Sequence, residues 1–398
     1  MIDLKPFRAW HPSFELIQRI AALPYDSVDQ LPESELSVDQ RYTFLQITRP
    51  ELIDGFHSTD HLQDIYLKGA ANLDTFFSEG LFRRDETPGY FIYQITGESH
   101  SQTGVFGCIS VKDYEQGRII PHEHIHPEKV EDRTRHILAQ RAHAEPVIFA
   151  APDHQTFQTI IPKHPEGPPF ISYVDEYGVQ HKIWRARDPQ QIRMLMQQFD
   201  HIYIADGHHR TEAAARAARK LRNSGDQGEF EHFPAVIFPM NHLKLEAYHR
   251  VIIKSISDFD NFLTEHFESS PAPATPPQQR GYVTIYQKNS CSQIRLPATQ
   301  YKDPTEQLDV SRLYRYLLGP AADISLGHSE PDVLFAGGKS SITRMMKMVD
   351  KGEAFAALFM HPPSISQWKA VADSGNIMPP KSTWFEPKLR SGLLVHTF

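Results

Sequence analysis

Two spacings of hydrophobic residues alternate along this chain, one helical and one strand-like, and together they predict a mixed α and β protein. Apolar residues every third or fourth position predict helices over residues 14–21, 60–79, 189–199, 308–318, 341–350 and 365–372. The first of these ends at Pro24, which leaves Tyr25 and Asp26 side by side on a loop. The second carries Leu62, Ile65, Tyr66, Ala70, Leu73 and Phe77 on one face, with Gly80 as its C-cap. Alternation or short apolar runs predict strands over 42–48, 146–150, 170–174, 179–185, 202–205, 233–240, 245–253, 333–337 and 354–360. Residues 89–95 and 104–111 read as a hairpin with a polar loop over 97–103, and 282–287 with 293–296 as a second.

The irregular interleaving gives an α+β class with irregular mixed sheets and a C-terminal α/β portion, without the regular alternation of a Rossmann fold. The Pro-rich stretch 268–280 reads as a linker. It divides a main α+β domain, 1–267, from a C-terminal portion, 281–398, whose last loop is expected to return to the site.

Chemistry concentrates at one junction. Ile202, Tyr203, Ile204 and Ala205 run into Asp206-Gly207-His208-His209-Arg210, and an Ala-rich helical segment follows. Strand, tight turn and helix in that order leave unpaired backbone N–H groups at the positive end of a helix dipole, an arrangement that attracts phosphate. Gly207 lets a ligand approach the backbone, Arg210 offers a planar fork for phosphate oxygens, and the histidines offer protons or metal ligation. The alternative is an ordinary Asp-Gly turn before a capped helix.

Composition narrows the classes. Hydrophobic residues make up 40% and charged ones 23%, the balance of a globular protein. A net charge of -8 argues against a large basic face for nucleic acid. Two cysteines make no disulfide framework, which suits a reducing cytoplasm. No signal peptide and no membrane-length apolar run is visible.

Other stretches add candidates. His122, His124 and His126 alternate, and in an extended segment they would share a face fit for a metal, although flanking prolines suggest a loop. Residues 131–135 read as the acidic first turn of a helix and, as a charge run, as a solvated face. His249 and Arg250 sit in mid-strand, so at least one should reach a cleft or a partner, unless the pair is salt-bridged scaffolding. The tail, with Lys381, Ser382, Thr383 and Lys388 set among aromatics and prolines, reads as a docked functional loop.

Pro24-Tyr25-Asp26, His122-Glu123 with Asp132-Arg133, Asp206 to Arg210, Tyr248-His249-Arg250, and Met378 to Thr383 with Phe385, Pro387 and Lys388 together resemble an uncharacterised conserved bacterial family of unknown function. The central box also resembles the phosphate box of the ParB and sulfiredoxin superfamily, which includes free-serine kinases. His208 stands where sulfiredoxin boxes carry cysteine, which argues against sulfinic acid repair. The acidic chain shows no helix-turn-helix of the ParB kind.

The resemblance implies a phosphotransferase that binds ATP or ADP with Mg²⁺ and acts on a small hydroxylated metabolite, serine or phosphoserine first. Gly207, Arg210, Arg133, Arg250, Lys381, Ser382, Thr383 and Lys388 are the candidate phosphate or nucleotide ligands. Asp206, Glu123 or Asp26 would be the base or hold Mg²⁺, His208 or His209 would shuttle a proton, and Tyr25 and His249 would bind substrate. Two rivals stand beside this reading. One is a hydrolase with Zn²⁺ or Mn²⁺ held by His122 and His124 with His208 and His209. The other is a nucleotide-sensing regulator without turnover.

Overall fold

The computed structural model describes residues 1–28, 41–53, 62–155, 157, 161, 165, 167–327, 332–338 and 341–398. The chain is a mixture of helices and sheets that forms two compact units. One comprises Met1–Pro121, Ile125–Leu243 and Pro387–Phe398, and the other His122–His124 and Lys244–Glu386.

The first unit is built on a nine-stranded sheet. Eight strands follow the order Ile119–Ile120, Ile202–Asp206, Val147–Ala151, His232–Pro239, Ser101–Ser110, Phe91–Thr96, Gln180–Arg185 and Ile171–Val174, and Leu4–Lys5 also pairs with Ser101–Ser110. Every residue of Val147–Ala151 and His232–Pro239 is buried, so these strands read as continuous apolar runs and not as alternating ones. Phe149, Ile202, Ile204 and Ile237 join Ala214 and Ala218 of the helix His208–Asn223 in one core. Burying each large side chain contributes roughly 1.5–3 kcal/mol. That helix packs against Pro127–Gln140. Alanine gives it high propensity, and Lys220 and Arg222 in its last turn complement its dipole.

In the second unit six antiparallel strands run in the order Ser269–Pro271, Ser290–Arg295, Tyr282–Gln287, Ala356–Met360, Tyr248–Ile252 and Val333–Gly337. Helix Ile365–Asp373 opens on a capping box between Ser364 and Gln367, and Ser341–Asp350 packs Met345 and Val349 beside Phe359.

Most predicted elements are present within a few residues of the expected bounds. The expected start of the second helix, at residue 60, lies outside the described residues; the helix is Leu62–Ser78, closed by left-handed Gly80 with Leu81 N–H donating to Phe76 O. Five expectations need correction. Residues 42–48 hold a one-turn helix, Leu45–Thr48, and no strand, because so short an apolar run fits either period. Tyr25 and Asp26 open a one-turn helix, Tyr25–Val28, where Pro24 begins the turn in place of only ending the previous helix. The strand expected over 245–253 is broken into Lys244–Glu246 and Tyr248–Ile252. Residues 268–280 lie inside the second unit, with Ser269–Pro271 as an edge strand, where proline's missing N–H is tolerated. The chain passes into the second unit at Lys244 and returns to the first at Pro387. Finally, residues 131–135 lie beyond the first turn of a helix that starts at Pro127, and the charge run is not wholly a solvated face, since Arg133 is buried. Among the described residues no helix is long and apolar enough to cross a membrane.

Candidate functional site

The central junction has the expected local form. Strand Ile202–Asp206 pairs Ile204 with Phe149 and Asp206 with Ile148, so Ala205 is one residue too many, and the bulge re-aims Asp206. Gly207 follows with φ 103°, in the left-handed region. It sits as the N-cap of the 16-residue helix His208–Asn223 with no side-chain cap. Thr211 N–H donates to Gly207 O at 2.9 Å and closes the first turn.

Around this helix start the first unit gathers charge. Asp206 accepts from Arg210 Nη2 at 2.7 Å and from Lys388 Nζ at 2.9 Å, across 182 positions of sequence. Burial opposes the Asp206 charge, but Lys388 and Arg210 outweigh it and hold the carboxyl well below the usual carboxylate range. Arg210 Nη1 donates to Pro146 O, and Nη2 stands 3.8 Å from Asp26 Oδ2. Burial acts against the guanidinium charge, while Asp26, Asp206 and Glu145 more than restore it.

The histidines divide. Burial, with Arg210 and His209 beside it, pushes His208 down to about 3 against the pull of Asp206, so its ring is neutral at pH 7. His209 Nε2 accepts the His126 N–H at 3.0 Å, and the two rings stack 5.6 Å apart.

Tyr25 and Arg133 lie in the same unit. Arg133 stands 4.2 Å over the Tyr25 ring and donates to Thr48 O and to Asp132. Tyr25 N–H donates to Glu145 Oε1 at 3.0 Å, which also accepts from Ser391 Oγ at 2.7 Å. The Tyr25 hydroxyl is buried and has no hydrogen-bond partner among the described residues. Burial and Asp26 raise it far above a phenol's ordinary value.

The remaining candidates belong to the second unit. His249 Nδ1 accepts Met360 N–H at 3.1 Å, and burial beside Arg250 lowers it to about 4. Both residues are buried in mid-strand, and Arg250 borders a small cavity of about 20 Å³ together with Tyr248, Asp309 and Met360. Arg250 donates to Tyr248 O at 2.7 Å and Pro380 O at 3.4 Å. Lys381 adopts φ 51° with Nζ 5.6 Å from the Tyr248 ring, and Ser382 Oγ donates to Pro379 O at 2.6 Å. His122 Nε2 and Thr383 Oγ1 are 3.2 Å apart, and the His122 ring meets Trp368 edge-on. Glu123 is half-buried and His124 exposed. His122, His124 and His126 occupy a loop, and among the described residues no three His, Cys, Asp or Glu side chains stand where one metal ion could be held.

Sequence reasoning missed Glu145, Thr48, Arg390 and His136. Arg390 donates to Asp175 and Glu176 and so fixes the tail that carries Lys388. None of the four stands in a motif; only the unusual polarity of the tail hinted at Arg390.

The chain belongs to the DUF1015 family, a protein family of unknown function, matched over residues 4–311. No curated protein matches it. Among solved structures it is similar to a free serine kinase in complex with AMP at 16% identity, covering 71% of this chain and 86% of that one with a TM-score of 0.35. A conserved hypothetical protein from Pyrococcus furiosus is similar at 15% identity, over 72% and 93%, with a TM-score of 0.35. SbnI from Staphylococcus aureus, truncated at its C-terminus, is similar at 11%, over 72% and 85%, with a TM-score of 0.38.

Proposed function

We propose that the first unit carries the phosphate site of a nucleotide-using phosphotransferase, with a small hydroxylated metabolite, serine or phosphoserine first, as the other reactant. The observation that carries this reading is the helix start itself. A 16-residue helix begins at a left-handed glycine, has no side-chain cap, and stands beside two cations that share one carboxylate. Such a start suits a phosphate group through backbone N–H groups and dipole, and Gly207 supplies the left-handed turn with Arg210 packed against it. A Cβ there would lie 3.1 Å from Arg210 Cζ.

The geometry redistributes the roles expected from sequence. Both Asp206 oxygens are engaged by cations, so Asp206 orients Arg210 and Lys388 in place of taking a proton. His208, down at about 3, is a poor proton shuttle near pH 7 and serves as a neutral hydrogen-bond partner. Asp26 is about one-third exposed and makes only the 3.8 Å ion pair among the described residues. It is the carboxylate left to take a hydroxyl proton or, with phosphate oxygens, to hold Mg²⁺. The nucleotide would supply or accept the phosphoryl group; this chain's part is to bind, orient and remove a proton.

Calorimetry with AMP, ADP and ATP, with and without Mg²⁺, tests the reading, followed by a phosphoserine assay. Arg210→Lys keeps a charge and loses the fork, and Lys388→Met removes the second cation; both should weaken nucleotide binding at least tenfold while melting cooperatively. No nucleotide binding by the unmodified protein would sink the proposal.

A further inference from the structure

Behind the box, wholly within the first unit, lies a cavity of about 40 Å³ bordered by Thr48, His136, Gln140, His143, Glu145 and Arg210. Four atoms of these side chains are buried without a hydrogen-bond partner among the described residues: Thr48 Oγ1, His136 Nε2, His143 Nε2 and Arg210 Nε. Each of the four residues is at least nine-tenths buried. An orphaned buried polar atom is costly, so four around one cavity call for an occupant.

Three of the orphans define its chemistry, while His143 Nε2 takes either polarity with its tautomer. Arg210 Nε–H can only donate. Gln140 Nε2 donates to Ile47 O at 2.9 Å, which fixes its amide orientation, so the same nitrogen also donates to His136 Nδ1 at 3.3 Å. His136 therefore carries its proton on Nε2, the orphaned atom, and is a donor too. Thr48 can add a hydroxyl proton. Glu145 is the one carboxylate among the lining residues, and its Oε1 is already engaged by Tyr25 N–H and Ser391. Water would bring two protons of its own into a wall rich in donors, whereas an oxyanion brings lone pairs alone. The volume corresponds to roughly three waters at about 15 Å³ each, enough for one carboxylate or phosphoryl group and too small for a nucleoside.

We propose that this cavity is an oxyanion subsite, taking one carboxylate or phosphoryl group on Arg210 Nε, His136 Nε2 and Thr48 Oγ1. It uses Arg210 Nε alone and leaves Nη1 to Pro146 O and Nη2 to Asp206, and the proposal stands without the nucleotide reading. Burial, with Arg133 and Arg49 beside it, lowers the His136 pKa and favours the neutral ring, which suits a hydrogen-bond donor.

Titration of the full chain with inorganic phosphate, acetate and, as the ionic control, chloride tests it, read by calorimetry and by the ¹⁵N signal of His136 Nε2. Saturable binding of phosphate or acetate over chloride, with a shift of that signal, is expected, and the tighter anion tells which group the subsite takes. Thr48→Val, which keeps the side-chain shape and the Thr48 carbonyl, should weaken it about tenfold, the worth of one hydrogen bond to a charged group. His136→Leu should do the same, and both variants should still bind ADP if the box is a nucleotide site. The idea is overturned if the unmodified protein shows no saturable oxyanion binding, leaving ordered water alone, or if bound phosphate leaves His136 unshifted and ignores Thr48→Val, placing it elsewhere, such as at the helix start.

Discussion

Arg210 and Arg250 look alike in sequence, each a buried arginine directly after a histidine, yet the two units treat them differently. Arg210 heads a helix and meets Asp206 at 2.7 Å and Asp26 at 3.8 Å, with a backbone carbonyl on its other amino group. Arg250 sits in mid-strand with two carbonyls and the rings of Phe335 and Tyr314 at 5.4 and 5.9 Å, and no ion pair among the described residues. Carbonyl dipoles and ring faces can solvate a guanidinium in place, whereas carboxylates bind it by charge and are perturbed by it in return. Of the two, the first arrangement is the coupled set of ionisable groups, the kind of cluster that gathers at functional sites.

The largest effect should come from removing each charge. Arg210→Met leaves half-buried Asp26 without its ion-pair partner and Asp206 with Lys388 alone, and a loss of about 3 kcal/mol is expected. Arg250→Met leaves two carbonyls short of a donor but no orphaned charge, for about 1–3 kcal/mol. Urea denaturation of both variants checks this, and equal losses would break the comparison.

The histidines beside these arginines sharpen it through pH. A histidine titrates near 6.5 when unfolded, but His208 is held down at about 3 and His249 at about 4. Below pH 6.5 the unfolded chain therefore binds protons that the native state refuses. Their stabilising contribution is complete above about 6.5 and declines as pH falls, by about 1.4 kcal/mol per pH unit for each ring. Between pH 4 and 3 the His249 contribution has levelled off and that of His208 still falls. Stability curves of His208→Gln and His249→Gln over that interval should differ; titration of the His208 ring near pH 6 by NMR would contradict the assignment.

How far these environments could be read from sequence depends on how local their causes are. The helix start was legible because Asp206-Gly207 and an Ala-rich run are both local signals. Short apolar runs such as the one ending at Thr48 carry no unique period, and Pro271 reads as a linker because composition cannot reveal an edge strand. The tail is expected from sequence to return to the site with Lys388, but the particular charge partners were not legible. Lys388 reaches Asp206 from the far end of the chain, and Glu145 finds Tyr25 and Ser391 at separations of 120 and 246 residues. Periodicity encodes which face of an element is buried; it carries no information on which distant polar groups meet there.

Lys388 offers the next test. Lys388→Met leaves Asp206 with Arg210 alone, and a loss of about 1.5–3 kcal/mol is expected. The Asp206 carboxyl is held below its ordinary 3.8, so its stabilisation is present above that value and is lost as pH falls below it. In Lys388→Met this acid loss should be smaller, since less depression remains. An unchanged curve below pH 4 would mean that the Lys388 pair contributes little to folding.

The smallest effect separates backbone strain from packing at the box. Gly80 and Gly207 both have positive φ, 73° and 103°. A Cβ on Gly80 meets nothing within 4 Å, so Gly80→Ala reports the left-handed conformation alone, about 1 kcal/mol. A Cβ on Gly207 would stand 3.1 Å from Arg210 Cζ and Nε and 3.2 Å from Val147 Cγ1, closer than such atoms normally come. Gly207→Ala should therefore cost about 1–2 kcal/mol, and the excess over Gly80→Ala measures how firmly Arg210 is held against the turn. In an Arg210→Lys background, where the planar fork is gone, that excess should shrink toward zero. If it persists there, Val147 and not Arg210 sets the shape of the turn, and the glycine is required by the sheet core and not by the charge cluster.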